Sequence, residues 1–347
     1  MHAPGLNIVA IGGGTGLSTL LRGLKGYVDS DSGWSIGALG AIVTVTDEGG
    51  SSGVLRKEFG MLPPGDIRNC IVALAEEEQL LSRLFSYRFD TDSALKGHSL
   101  GNLLLTAMTD ITGSFDNAVL AASEVLAIRG EIYPSTLADV RLRATLESGE
   151  VLVGEVAISG SDIGEEPQKA IRQTRIRSIA LDPPDAAPTP GALAAIAAAD
   201  LIIIGPGSLY TSVLPNLVIE PLAAALRKTK ALRVYICNVM TQPNETDGFM
   251  AEDHLRAIVE HAGLVVDVMV MNGRRPSQSI VATYAAMDQY AVGFDLEEIR
   301  ALGVTPFFGD IIAEGNLVRH DSAALARTIF QLYDRYGRTL ERMRKES

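Results

Sequence analysis

Cysteine is nearly absent from this 347-residue chain: Cys70 and Cys237 are the only two. Both stand in apolar, element-like runs. No disulfide framework is available, and two buried thiols in a reducing, cytoplasmic setting are expected. Aromatic residues make up 5% of the chain, with one tryptophan, Trp34, which leaves little material for a pocket that stacks a wide aromatic substrate. Basic residues number 30 against 42 acids, a formal net charge of -12. That balance argues against a sequence-independent grip on nucleic acid, which depends on clustered Lys and Arg. It does not exclude a nucleotide, which backbone N–H groups and helix dipoles can hold. No run approaches the roughly 20 apolar residues of a membrane span, since residues 191–205 are too few and include Asp200, so no membrane insertion is expected. His2, His254, His261 and His320 show no metal-ligand spacing, and there is no G-x-S-x-G elbow.

What the chain does have is three strand-like runs that stop abruptly at glycine and small hydroxyl residues. Residues 8–11 run into Gly12-Gly13-Gly14-Thr15-Gly16-Leu17-Ser18, and residues 41–45 into Thr46-Asp47-Glu48-Gly49-Gly50-Ser51-Ser52-Gly53. Residues 201–204 run into Gly205-Pro206-Gly207-Ser208-Leu209-Tyr210-Thr211-Ser212. Continuous β-branched runs read as buried parallel strands, and ligands of open α/β sheets sit beyond the carboxyl ends of the strands. Three such loops point to a phosphate- or nucleotide-binding crevice.

The spacing predicts strand 6–11, a helix over about 17–25, a polar loop over 29–40 and strand 41–45. Helices follow after Asp66, over 102–110 and over 115–129. Short alternating runs over about 130–182 read as a β-rich antiparallel insertion. The βαβ rhythm then returns: strand 201–204, helix 216–227, strand 232–237, helix 252–262, strand 265–271. An amphipathic helix over about 322–345 carries Leu325, Ile329, Leu332, Tyr333, Tyr336 and Leu340 on one face, to pack on the sheet or on a second subunit. The expected fold is α/β: one domain over 1–347 with a Rossmann-like parallel sheet, helices on both faces and the β-rich insertion. A homo-oligomer is expected.

Within the first loop, Gly12, Gly14 and Gly16 space as G-x-G-x-G. That is not the dinucleotide fingerprint, because Leu17 stands where the third glycine should fall, and no Lys precedes Ser18 to make a Walker A loop. Two readings stay open for Gly12, Gly13, Gly14, Thr15, Gly16 and Ser18: a tight strand-to-helix turn, or a phosphate cradle. Asp47 is read as a contact to ribose hydroxyls, as a ligand of a divalent cation such as Mg2+, or as an Asx-turn. Asp66 follows Pro63-Pro64-Gly65 as a natural N-cap, Asn102 shares its choice between capping and ligand contact, and Asn69 and Ser99 are read as ligand contacts. His98 is the one histidine in a plausible active-site context. Gly205, Gly207, Ser208, Tyr210, Thr211 and Ser212 form the opposite lip, and the amide-rich loop 237–248 adds Asn238, Thr241 and Asn244. No residue set reads as a nucleophile–base pair. On an extended strand end, Asp47 and Glu48 point to opposite faces.

The blocks GGGTGLSTLLRGLK, VTVTDEGGSSGVLRKEFG, LPPGDIRNCIVAL, GHSLGNLLL, ADLIIIGPGSLYTSVLPNL and YICNVMTQPNETDGF, in this order, strongly resemble the gluconeogenesis factor family. Its YvcK-type members look like the 2-phospho-L-lactate transferases and share their CofD-like fold. The resemblance runs from Ile8 to Asn272 and more weakly to Arg319-His320-Asp321. It implies binding of a UDP-sugar, UDP-N-acetylglucosamine above all, and a role linking carbon metabolism to cell-wall synthesis and cell shape. A protein partner in cell-wall precursor synthesis is implied with it. The branch commonly reads Asp-Asp-Gly-Gly-Ser-Ser where this chain has Asp47-Glu48-Gly49-Gly50-Ser51-Ser52. The transferase relatives move a phosphoryl-linked lactate from a guanosine diphosphate carrier onto a deazaflavin alcohol. This chain keeps the nucleotide-side loops without a second-substrate signature, which favours a regulatory sensor over a phospho-group transferase. The G-x-G-x-G spacing weakens an NAD(P)-type reading.

Overall fold

The computed structural model describes residues 5–31, 33–76, 79–90, 92–160, 174–315 and 318–346. The first half supplies strands β1 (Leu6–Gly12), β2 (Ile36–Val43) and β3 (Glu131–Pro134), followed by β4 (Arg141–Leu146), β5 (Val151–Val153) and β6 (Ile176–Asp182). The second half supplies β7 (Leu201–Ile204), β8 (Leu232–Ile236), β9 (Val268–Asn272) and β10 (Thr305–Gly309), then the hairpin β11 (Ile312–Glu314) and β12 (Val318–His320). Seven of these form one parallel sheet in the order β10-β9-β8-β7-β1-β2-β3. All four residues of β7 and Ile8 to Ile11 of β1 are buried, as continuous apolar strands covered on both faces must be.

The chain winds outward from β1 to β3, then returns and winds the other way from β7 to β10. The strand order therefore reverses between β1 and β7, and in a doubly wound sheet a crevice opens at that switch point. One face is covered by α1 (Gly14–Leu24), α2 (Gly50–Phe59), α3 (Gly65–Leu74), α4 (Gln79–Ser86), α5 (Leu100–Thr112) and α6 (Phe115–Val125). A short helix, α7 (Glu155–Ser159), belongs to the small antiparallel sheet β5-β4-β6. On the other face lie α8 (Pro190–Ala198), α9 (Leu214–Leu217), α10 (Glu220–Lys228) and α11 (Ala251–Ala262). Completing the chain are α12 (Gln278–Ala285), α13 (Leu296–Ala301) and α14 (Ser322–Glu346).

The α14 stripe packs on α1 and the sheet: Leu325, Ile329, Leu332 and Tyr333 are buried, and Phe330 stacks on Trp34 with ring centroids 4.9 Å apart. The side chains beyond Gly337 lie outside the described residues, Leu340 among them. Both cysteines are buried free thiols. Among the described residues no single helix is long and apolar enough to cross a membrane.

Four expectations change. The polar loop 29–40 is shorter than read, because β2 begins at Ile36, where Gly37 and Ala38 carry no periodic signal. Residues 130–182 are not wholly an insertion: β3 is the parallel edge strand of the main sheet, and only β4 to β6 form the antiparallel unit. The alternation of residues 151–158 breaks at Gly154 (φ 93), after which the chain is helical; residues 161–173 lie outside the described set. Helix 216–227 is two helices, each opening on a proline, Pro215 and Pro221, in its first turn.

Candidate functional site

The loops after β1 and β7 meet at the switch point. A side-chain carbon on Gly16 would collide with the Pro206 carbonyl and come within 3.0 Å of the Gly207 nitrogen, so the two loops touch backbone to backbone. Gly13 is just as enclosed, 2.6 Å from an Asp66 carboxyl oxygen and 2.7 Å from Thr44 Cγ2 by the same measure. Helix α1 starts at Gly14, three residues earlier than its apolar spacing predicts, and no side chain caps it. The Asp66 carboxyl takes the Gly14 N–H, and the N–H groups of Thr15 and Gly16 are left for a ligand, the arrangement that favours an anion. These loops floor a cleft of about 380 Å³.

That cleft brings together Gly13, Gly14, Thr15, Gly16, Gly207, Ser208, Ser212, Asn238 and Thr241 from among the residues singled out in the sequence. It also contains Gln242, Tyr284, Gln289, Arg319 and His320, which sequence reasoning did not place there. The amide-rich loop 237–248 included Gln242, and the weak resemblance at Arg319-His320-Asp321 included Arg319 and His320; nothing pointed to Tyr284 or Gln289. Arg319 is exposed and is the one charged side chain in the lining among the described residues. His320 is neutral, because burial pulls its pKa down to about 4.

A second arm begins at Asp66 and is rich in carboxylates. Asp66 is not the N-cap of α3; Pro64 takes that position without a side-chain bond, and Asp66 turns its carboxyl back to the Gly14 N–H. Asp47 Oδ1 accepts the Gly49 N–H at 2.8 Å, which is the Asx-turn reading, while its other oxygen lies against Gly65. Glu155, from the antiparallel unit, accepts the Glu48 N–H at 3.2 Å and shares a hydrogen bond with Asp47. Burial, then the charge of Asp47, pushes Asp66 up to about 7. The same causes, with Asp66 added, push Glu155 up to about 9. Glu48, in the loop beyond β2, pairs instead with Arg56 at 3.8 Å and Arg141 at 3.2 Å.

Beside the carboxylates stands a pair the sequence did not reveal. Ser51 Oγ lies 3.0 Å from His98 Nδ1 and accepts from Asn102 Nδ2 at 3.2 Å. A hydroxyl with a base in reach therefore exists, contrary to the expectation of none. Arg68 donates to Ser99 Oγ at 2.5 Å and to Asn69 Oδ1 at 2.6 Å, and Ser99 caps α5 by accepting from the Asn102 N–H. Buried Asn102 keeps its Oδ1 without a partner.

Several candidates lie away from the cleft. Gly12 and Gly205 hold strand ends together, with the Gly205 N–H donating to the Ile11 carbonyl at 2.8 Å. Ser18 is buried and bonds back to the Thr15 carbonyl. The π-helical turn Leu209–Val213 carries Tyr210 toward the Ile176 carbonyl and Thr211 toward Glu245, both away from the floor. Asn244 (φ 68) reaches the Ser159 carbonyl of the antiparallel unit at 3.4 Å.

The carboxylate arm sets a pH dependence. Folded values of Asp66 and Glu155 lie above their ordinary ones, so the fold favours the neutral forms. The stability tied to this is complete below about pH 4 and is lost as pH rises through about 7 and then about 9. Thermal melts of ligand-free protein are expected to fall between about pH 6 and pH 9.5, a tenfold change in proton affinity corresponding to about 1.4 kcal/mol. Asp47→Asn removes a charge that raises both groups and should shrink the fall. Identical pH profiles for wild type and variant would contradict the coupling.

The model of the family described as 2-phospho-L-lactate transferase CofD matches residues 8–312. The gluconeogenesis factor of Bacillus subtilis is 44% identical over 327 residues, covering 94% of this chain and 97% of that one. The gluconeogenesis factor of Halalkalibacterium halodurans is 43% identical over 329 residues, with coverage of 94% and 96%. A crystal structure of a UPF0052-family protein from Bacillus halodurans superposes with a TM-score of 0.86 at 43% identity, covering 94% of this chain and all of that one. The chain belongs to the CofD family, in its gluconeogenesis-factor branch.

Proposed function

We propose that the chain is a regulatory protein that binds a nucleotide-diphosphate sugar, UDP-N-acetylglucosamine in particular. The supporting observation is the α1 terminus, with the Thr15 and Gly16 N–H groups open, facing Gly207 and Ser208 across a cleft in which Arg319 is the single charged side chain among the described residues. The diphosphate lies on backbone donors of residues 15 and 16, and sugar hydroxyls donate to Asp47 and Asp66. Among the described residues no three acidic, His or Cys side chains are grouped to hold a metal ion. Mg2+ commonly takes one or two carboxylates plus substrate phosphates and water, and Asp47 with Asp66 fits that pattern. The link from carbon metabolism to cell-wall synthesis and cell shape, through a protein partner in precursor synthesis, follows from occupancy of this cleft. A homo-oligomer is part of the same proposal.

A phospho-group transferase is the second reading, favoured by the Ser51–His98 pair beside the carboxylates. Incubation with UDP-N-acetylglucosamine and Mg2+ separates the two. The sensor leaves the ligand intact over hours while the melting temperature rises. Steady release of UMP, abolished by Asp47→Ala, would establish the transferase.

A further inference from the structure

Beyond the cleft, a second cavity of about 880 Å³ opens at the carboxyl ends of β8 and β9, and the two share Asn238 and Val239 as a common wall. Ile236 pairs with Val270 in the parallel register, so the same offset sets Asn238, two residues past the end of β8, beside Asn272, the last residue of β9. Each amide is tied by its nitrogen. Asn238 Nδ2 donates to Gln242 Oε1 at 3.0 Å, and Asn272 Nδ2 donates to the Arg274 carbonyl. Both Oδ1 atoms are left buried without a hydrogen-bond partner. Two neighbouring acceptors with fixed orientation call for a ligand that brings donors, because a buried polar group left unmatched is unfavourable. Val239, Met271, Val292 and Phe294 give the cavity apolar walls, Arg274, Ser277 and Gln278 add polar ones, and Arg275 on the wall makes no ion pair among the described residues. Gln242 also donates from Nε2 to Ser208 Oγ at 2.6 Å, so one chain of side-chain bonds connects the phosphate loop to the paired amides.

We infer that this cavity is the base subsite of the nucleotide. The ring lies between the apolar walls, the Asn238 and Asn272 oxygens accept an N–H of its pairing edge, and Arg275 donates to a ring carbonyl. The base subsite rests on the nucleotide reading proposed above and orients the ligand, with the base toward β9 and the sugar toward Asp47 and Asp66.

Calorimetric titrations with UDP, N3-methyl-UDP and N-acetylglucosamine 1-phosphate test it. Methylation removes the imide donor, and wild type is expected to bind UDP at least about tenfold more tightly than N3-methyl-UDP. In Asn272→Ala that ratio falls toward one while binding of N-acetylglucosamine 1-phosphate is unchanged. The wild-type ratio decides even where the variant folds poorly. Equal wild-type binding of UDP and N3-methyl-UDP overturns the base subsite and leaves the diphosphate cleft standing. A loss in Asn272→Ala confined to N-acetylglucosamine 1-phosphate places the sugar in this cavity and overturns it as well. Absence of binding by all three probes to folded wild type overturns the cleft and the subsite together.

Discussion

Replacing Gly16 with alanine is expected to abolish UDP-sugar binding and to cost about 1–3 kcal/mol of stability, the range for overpacking a filled site. The added carbon would fall on the Pro206 carbonyl, 2.7 Å from its carbon and 3.0 Å from the Gly207 nitrogen. All three atoms are backbone, so no rotamer change relieves the clash and the two loops must part. Parting them opens the cleft floor. Gly12→Ala is the control: its carbon would meet Gly205 Cα and Leu17 Cβ at 3.8 Å, an ordinary contact, and binding should stay within about twofold. Denaturation curves with calorimetry on both variants check this. Wild-type affinity in a folded Gly16→Ala protein would remove the two-loop floor from the account. Gly14→Val is a poorer probe, because Gly14 has φ +64 and a β-branched residue there is strained whatever the ligand does.

Reversing the charge of Arg319 with Arg319→Glu is expected to weaken UDP-sugar binding by about 100-fold or more, since charge-assisted hydrogen bonds to phosphate are among the strongest single contacts. Arg319 is exposed on β12, so the melting temperature of the free protein should scarcely move. His320 is already neutral and cannot compensate. Arg319→Lys keeps the charge and should retain part of the affinity, losing only the paired donor geometry. Unchanged affinity in Arg319→Glu would mean that no phosphate lies in this cleft.

Much of the frame could be read from local chemistry. Residues 8–11 and Leu201–Ile204 are unbroken apolar strands ending in glycine, and both strands flank the switch point. Asp66 was misplaced because Pro63-Pro64-Gly65-Asp66 has the composition of a cap, whereas the helix begins one residue earlier and turns the carboxyl into the crevice. Tyr210 and Thr211 look like loop residues of a lip, but the π-helical turn rotates them into the protein. Tyr284 and Gln289 were invisible as site residues, and only a weak resemblance touched Arg319, because they lie on or beside α12 and β12, far along the chain from any glycine loop. No periodicity marks a side chain whose role depends on the return of a distant hairpin. Ser51 and His98 are 47 residues apart, and only the packing of α2 against α5 brings them together.

The claim at the centre is that a sugar nucleotide lies across the β1/β7 switch point with its diphosphate between the two glycine loops. A crystal structure of the chain with UDP-N-acetylglucosamine tests it most directly. The expected result is diphosphate oxygens within about 3.2 Å of backbone nitrogens in residues 15 and 16 or of Ser208. A diphosphate bound elsewhere, with both loops more than about 10 Å from every ligand atom and so beyond water-mediated reach, would contradict it.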